Sequence, residues 1–299
     1  MAQITMLKAI TLKIGEQCSI LSEYVLARLL VELYQDKSYK KQAISDLGTT
    51  FPSKKDYLKI LKQLTSIGIL EEIAGTKKKL FSVLGRKEHS AQEIACVLDP
   101  FCYLSHLSAM EYHGLTDRML HTVVLTTLPV SQWRVEAIQK EKEDFGSDYL
   151  LYKDSGLPRL IPPSPSQLGK TKLTFYSSRL AGSFIKTQNT SLRVASLGKT
   201  FLDMLGEPNL CGGIYHVLDV YEKYVTQYLS LILQEIDRNG TKLDKVRAGY
   251  ILEKRCGIEG NAIIESWHQY AQRGGSQKLV ASESFSPEYC ERWLLSLNI

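Results

Sequence analysis

An α+β fold in two domains is what this sequence predicts, on three observations. The chain has 299 residues, roughly twice an ordinary domain. Its apolar share of 44% against 23% charged gives enough apolar material for real cores and argues against long disorder. Helical and strand-like periodicities then follow one another without the regular β-α-β alternation of a parallel sheet. The expected boundary lies near residue 87, giving domains 1–87 and 88–299.

Each N-terminal element has its own signal. Leu21, Val25, Leu26, Leu29, Leu30 and Leu33 recur at helical spacing, so Ile20 to Tyr34 reads as a helix capped by Ser19 or Ser22. A short second helix is expected over Tyr39 to Leu47, ended by Gly48. Ser53 with Asp56 spells a capping-box variant that starts a third helix, stopped at Gly68. Ile69–Ile73 and Leu80–Val83 flank a glycine-containing turn and read as a β-hairpin. Helix, helix, turn, helix, hairpin is the order of a winged helix-turn-helix.

The pattern changes after Gly85–His89. Helices are expected at Ala91–Leu98 and Ser105–His113, and a strand at Val123–Thr126. Residues 134–144 are so charged that they read as a solvated helix. The proline-rich stretch 156–171 reads as a loop. Strands follow at Leu173–Tyr176 and Leu192–Ala195. Helices follow at Lys199–Leu205, Ile214–Ile236, Leu243–Arg255 and Ala262–Arg273. This part is a larger mixed α/β domain.

Charge is concentrated at the N-terminus. Residues 1–85 hold thirteen basic side chains against eight acidic ones, an excess equal to the net +5 of the chain. The third helix carries Lys54, Lys55, Lys59, Lys62 and Gln63 on its polar face, and the hairpin tip carries Lys77, Lys78 and Lys79. The third helix of such a motif enters the major groove, and a basic wing suits backbone or minor groove. Lysines act mainly as point charges on phosphate, so these residues point to double-stranded DNA. The plainer alternative is a solvated lysine face, or a winged helix used for protein contacts.

Catalytic and metal patterns are missing. Gly-Lys-Thr occurs at 169–171 and 198–200, but Ser164 and Arg193 stand where a phosphate loop needs its first glycine. The six cysteines are scattered without a C-x-x-C pair, and the six histidines have no close metal spacing. No cofactor, no metal and no enzyme activity are therefore expected. No stretch reads as a signal peptide or membrane span, so a cytoplasmic chain without membrane partners is expected.

The second domain carries a family resemblance. Tyr103-Leu104-Ser105-His106-Leu107-Ser108-Ala109, followed by His113-Gly114-Leu115-Thr116, resembles the opening of the antitoxin domain of AbiEi-type proteins. Phe201-Leu202-Asp203-Met204-Leu205 with Gly212-Gly213-Ile214, Arg247-Ala248-Gly249-Tyr250, and Arg292-Trp293-Leu294 with Asn298 are similar in order and spacing. Val280-Ala281-Ser282 departs from the family, where a Leu-Asp-Pro-like element is expected. The resemblance implies an antitoxin and autorepressor of an abortive-infection toxin–antitoxin operon. Such a protein binds its promoter, commonly at inverted repeats, and counters a nucleotidyltransferase-like toxin. It singles out Ser105, Ser108, His113, Asp203, Gly212, Gly213 and Arg247 as motif residues. The competing readings are a ligand-sensing repressor and an enzyme that modifies the toxin.

Read from the residues alone, the same positions have plainer roles. His113-Gly114 ends a helix, Gly212-Gly213 makes a tight turn or binds an anion at the next helix, and Asp203 is either buried or exposed for function.

Overall fold

Local capping and periodicity place the N-terminal elements. The computed structural model describes residues 3–299 apart from 46, 77–78, 86–88, 119–121, 164–166, 180–181, 189 and 275–276. Strand β1 (Gln3–Ile4) leads into α1 (Met6–Gln17), where Met6, Ala9, Ile10 and Ile14 are buried at helical spacing. The sequence pattern predicts no element over these residues. Strand β2 (Ile20–Ser22) follows, and Ser22 then caps α2 (Glu23–Asp36) by accepting from the Val25 amide. The expected first helix therefore starts after Ser22, and Ile20 and Leu21 are buried as strand residues.

The expected short second helix over Tyr39–Leu47 does not form. Its place is taken by a hairpin of β3 (Ser38–Tyr39) and β4 (Gln42–Ile44), with β4 also pairing in parallel with β1. The pairing with β1 holds this segment extended. Lys40 and Lys41, the two loop residues, have φ of 47° and 66°, and a two-residue hairpin with the twist of its strands needs positive φ at both. Tyr39 donates to Glu16 Oε2 at 2.7 Å and Lys40 pairs with Glu16, tying the hairpin to α1.

Ser53 and Asp56 form the expected capping box at the start of α3 (Lys54–Ser66). The expected hairpin forms from β5 (Leu70–Glu72) and β6 (Leu80–Val83) and gains β2 as a third antiparallel strand, in the order β2-β6-β5. Helix α4 (Ala91–Leu98) opens on a second capping box, Ser90 with Glu93.

Next come β7 (Tyr103–Leu104), α5 (His106–Tyr112), β8 (Thr122–Thr127), α6 (Val130–Phe145) and α7 (Tyr149–Asp154). They are followed by β9 (Gln167–Leu168), β10 (Thr171–Ser177), β11 (Phe184–Lys186), β12 (Arg193–Ala195), α8 (Leu197–Gly206) and α9 (Ile214–Asn239). The chain ends through α10 (Lys242–Tyr250), a π turn at Ile251–Arg255, α11 (Ala262–Trp267), β13 (Tyr289–Cys290) and β14 (Leu295–Ser296). The fold mixes α and β. The last expected helix is shorter than read, because regular α structure stops at Trp267.

Two compact units emerge, and they do not divide at the expected 87/88 boundary. One holds residues 1–102, 127–173 and 188–192; the other holds 103–126, 174–187 and 193–299. In the first, Phe145 and Tyr152 stack at 3.7 Å and Tyr24 of α2 meets both edge-on. Tyr24 also donates to Asp144 Oδ2 at 2.6 Å. Helix α6, which carries the charged run, is thus only partly solvated. Its Glu141 is 1% exposed and takes hydrogen bonds from Arg159 and the Leu160 amide.

In the second unit, β11, β12 and β7 lie side by side with β8 next, pairing antiparallel, parallel and antiparallel in turn. Helices α8 and α9 pack closely because Gly198 has no side chain: a Cβ there would sit 2.6 Å from the Leu231 carbonyl. Gly249 plays the same part for Trp293, whose ring would lie 2.1 Å from a Cβ. The 247–250 and 292–294 segments are therefore packed closely against one another. Asn298 binds both backbone groups of Val280, donating to its carbonyl at 2.8 Å and accepting from its amide at 3.0 Å.

Candidate nucleic-acid interface and a polar cavity

Helix α3 buries Tyr57, Ile60, Leu61 and Leu64. Residues one turn apart share a helix face, so the side opposite these four falls to Lys55, Lys59 and Lys62. All three are exposed, and none forms an ion pair among the described residues. Among the described residues, Asp56 is the acidic group of α3 itself, and its carboxyl is held low first by its hydrogen bond from Ser53 and only weakly by Lys59 and Lys55.

The other expected DNA-binding residues are spread more widely. Gln63 is half-buried on the flank of α3. Lys54 and Lys79 are exposed, and both line a cleft of about 260 Å³ within the first unit, together with Glu23, Tyr57 and Arg159. Burial raises the Glu23 carboxyl and the nearby Lys79 partly offsets that. Lys77 and Lys78 lie outside the described residues.

The motif residues of the second unit separate into two groups. Ser108, His113, Gly212 and Gly213 hold the fold. Ser108 Oγ accepts from the Val124 amide at 2.9 Å, and His113, which ends α5, donates from Nε2 to the Ala195 carbonyl at 2.8 Å. Gly212 and Gly213 have φ of 88° and 95° and make the turn into α9, a conformation that favours glycine.

Asp203 and Arg247, by contrast, line one cavity of about 430 Å³, and Ser105 supports its wall through His106. Asp203 pairs with Lys199 one turn earlier on α8, where the Gly-Lys-Thr at 198–200 serves helix packing and this ion pair. Arg247 is fixed by two backbone carbonyls, donating from Nε to Lys278 at 2.9 Å and from Nη1 to Leu205 at 3.0 Å. Burial lowers its pKa, against the opposing charges of Asp244 and Glu207.

His106 is the residue that sequence reasoning missed. It is 1% exposed and has φ of 50°. A buried non-glycine residue in the left-handed region is strained, and such strain gathers at functional sites. Thr126 donates to Ser105 Oγ at 2.8 Å, and Ser105 Oγ lies 2.8 Å from His106 Nδ1. With its oxygen accepting from Thr126, the Ser105 hydroxyl has its own proton to give to Nδ1, which leaves the ring proton on Nε2. Burial depresses the His106 pKa, Asp203 raises it and Lys199 lowers it further, so the ring is neutral near pH 7. The only sequence signal was its place between Ser105 and Ser108.

Three buried polar atoms on this wall have no hydrogen-bond partner among the described residues: His106 Nε2, Asp203 Oδ2 and Arg247 Nη2. Buried polar groups are ordinarily satisfied, so three on one cavity is an anomaly with a chemical meaning. Gly182 also lines the cavity, where a Cβ would lie 2.3 Å from Tyr103 Oη and 2.6 Å from Lys199 Cε.

A second cluster is only partly satisfied, since His268 Nε2 is buried without a hydrogen-bond partner among the described residues. Glu253, Glu265 and His268 bring possible metal-ligating atoms within 4.8 Å of one another. Both carboxylates accept from Arg292, at 2.7 Å and 2.9 Å, and Glu253 also accepts from Trp293 Nε1. Burial alone would raise the Glu253 carboxyl, but Arg292 and Trp293 hold it below its usual value. The cation this cluster holds is the protein's own guanidinium. No helix among the described residues is long and apolar enough to cross a membrane.

No protein-family model matches this sequence, and comparison with curated proteins finds no significant match.

Proposed function

We propose that the chain is a DNA-binding antitoxin and autorepressor, which binds the promoter of its own operon and neutralises a nucleotidyltransferase-like toxin. The observation that carries the DNA-binding half is the exposed lysine face of α3 (Lys55, Lys59, Lys62), which has no ion pair among the described residues. Lysines clustered on one helix face are the electrostatic footprint of a phosphate backbone.

The order of elements supports reading residues 1–87 as a winged-helix domain. Helix α1, strand β2, helices α2 and α3, then β5 and β6 follow one another, and the three strands form a β2-β6-β5 sheet. The β3–β4 hairpin replaces the short helix of a compact helix-turn-helix, so the connection into α3 is longer than in the ordinary motif. The antitoxin half rests on the motif resemblance of residues 103–116, 201–214, 247–250 and 292–298.

Two measurements test the two halves separately. The full chain is expected to retain duplex DNA taken from upstream of its own gene, more tightly than a scrambled duplex of equal length. Equal retention of both would remove the autorepressor reading. In cells, the product of the neighbouring gene is expected to stop growth unless this chain is expressed with it. A harmless neighbour would remove the antitoxin reading and leave DNA binding standing.

A further inference from the structure

We infer that the cavity lined by His106, Asp203 and Arg247 is a binding site for a small zwitterion of the α-amino-acid type. The inference stands apart from DNA binding, because every residue it uses lies in the second unit.

The cavity wall holds unsatisfied polar atoms. Arg247 is 4% exposed, Asp203 7% and His106 1%. Each has a polar atom without a partner among the described residues. Leaving a buried donor or acceptor unmet costs about 1–3 kcal/mol, more for charged groups. Such groups are kept where a ligand completes them. The cavity volume of about 430 Å³ lies within the range of small-molecule sites, roughly 300–1,000 Å³.

The chemistry of the three atoms then selects the ligand. Arg247 Nη2 offers N–H donors on a guanidinium already locked by the Lys278 and Leu205 carbonyls. A carboxylate is its natural complement. The neutral His106 ring offers one more donor at Nε2. Asp203 Oδ2 is an acceptor on a carboxylate whose other oxygen is taken by Lys199, so it asks for a donor such as an ammonium group. One ligand must therefore present an anion and a cationic donor close together.

The charges on the wall rule out the simpler classes. Lys199, Arg238 and Arg247 are matched by Asp203, Glu207 and Asp244, so the formal sum is zero. A polyphosphate would face three carboxylates, and a polyamine would face a buried guanidinium. Like charges in a low-dielectric site are costly, and a zwitterion alone meets both signs.

The test uses the full chain. Each coded L-amino acid is added singly at about 10 mM and the melting temperature is followed, with saturation-transfer NMR on the unmodified protein as a second reading. At least one amino acid is expected to raise the melting temperature by about 2–5 °C through ligand linkage. The matching amine without a carboxylate and the matching acid without an amine are expected to do nothing. Asp203→Asn and Arg247→Met are expected to abolish the shift. The inference is overturned if no amino acid gives a melting shift or a transfer signal. It is equally overturned if the acid alone or inorganic phosphate binds as well, or if Asp203→Asn leaves the shift intact. Should Arg247→Met fail to fold, Asp203→Asn and the NMR reading on the unmodified chain still decide.

Discussion

The two units handle charge in opposite ways. The first presents Lys55, Lys59 and Lys62 to solvent with no ion-pair partner among the described residues. The second turns Arg247, Asp203 and His106 inward, each less than a tenth exposed. Outward charge acts over about a Debye length and is screened by salt, which suits a polymer of phosphates. Inward charge is shielded from salt and acts at hydrogen-bond range, which suits the fold itself or a small ligand. The contrast has exceptions that sharpen it, since the first unit buries Glu141 and the second exposes half of Arg292.

The largest effect on stability is expected where an inward charge is removed. Arg247→Met leaves the Lys278 and Leu205 carbonyls without their donor. It should cost about 3 kcal/mol in denaturant unfolding. A loss no greater than that of an exposed lysine would break the distinction between inward and outward charge.

Gly249→Ala should cost about 1–3 kcal/mol, since its Cβ meets the Trp293 ring at 2.1 Å. A neutral result would mean that Trp293 yields easily and that the two motifs do not pack as a unit. Tyr24→Phe removes the hydrogen bond to Asp144 and should cost about 1–2 kcal/mol, read by thermal or chemical unfolding. No loss would show that the aromatic stack on Phe145 and Tyr152 holds α6 by itself.

The smallest effect concerns pH. His106, His113 and His216 all have pKa values lowered from 6.5, in each case first by burial. The unfolded chain binds their protons more readily, so their contribution is complete above the unfolded value of 6.5 and is lost as pH falls through the lowered folded values. The melting temperature should fall between about pH 7.5 and pH 5, and His113→Asn should flatten the fall. A melting temperature that rises on acidification would contradict this.

Elements with strong local signals were legible in the sequence. The Ser53–Asp56 box marks α3 correctly, and the turn at Gly75 marks the β5–β6 hairpin. Helix α9 begins at Ile214, directly after the glycine pair. The failures are places where tertiary context decides. Tyr39–Leu47 has helical-looking apolar spacing, but positive φ at Lys40 and Lys41 and pairing with β1 make it strand. Ile20–Ser22 continues a helical pattern, yet β6 captures it.

The candidate sites divide the same way. A lysine stripe is periodic and local, so α3 is visible in one dimension. The cavity joins His106, Asp203 and Arg247 from three separated segments, and no spacing rule connects them. The resemblance named Asp203 and Arg247 without indicating that they line one cavity, and it passed over the strained His106.

DNA binding by the outward lysines of α3 is a proposal that can be measured directly. The direct measurement is fluorescence anisotropy of a duplex from upstream of the gene, titrated with the full chain and with a Lys55→Glu, Lys59→Glu double variant at several salt concentrations. Two phosphate contacts turned into repulsions should weaken binding about a thousandfold and flatten the salt dependence. The melting temperature should stay nearly unchanged, because both side chains are exposed. Affinity and salt slope that match the unmodified chain would contradict DNA binding through α3.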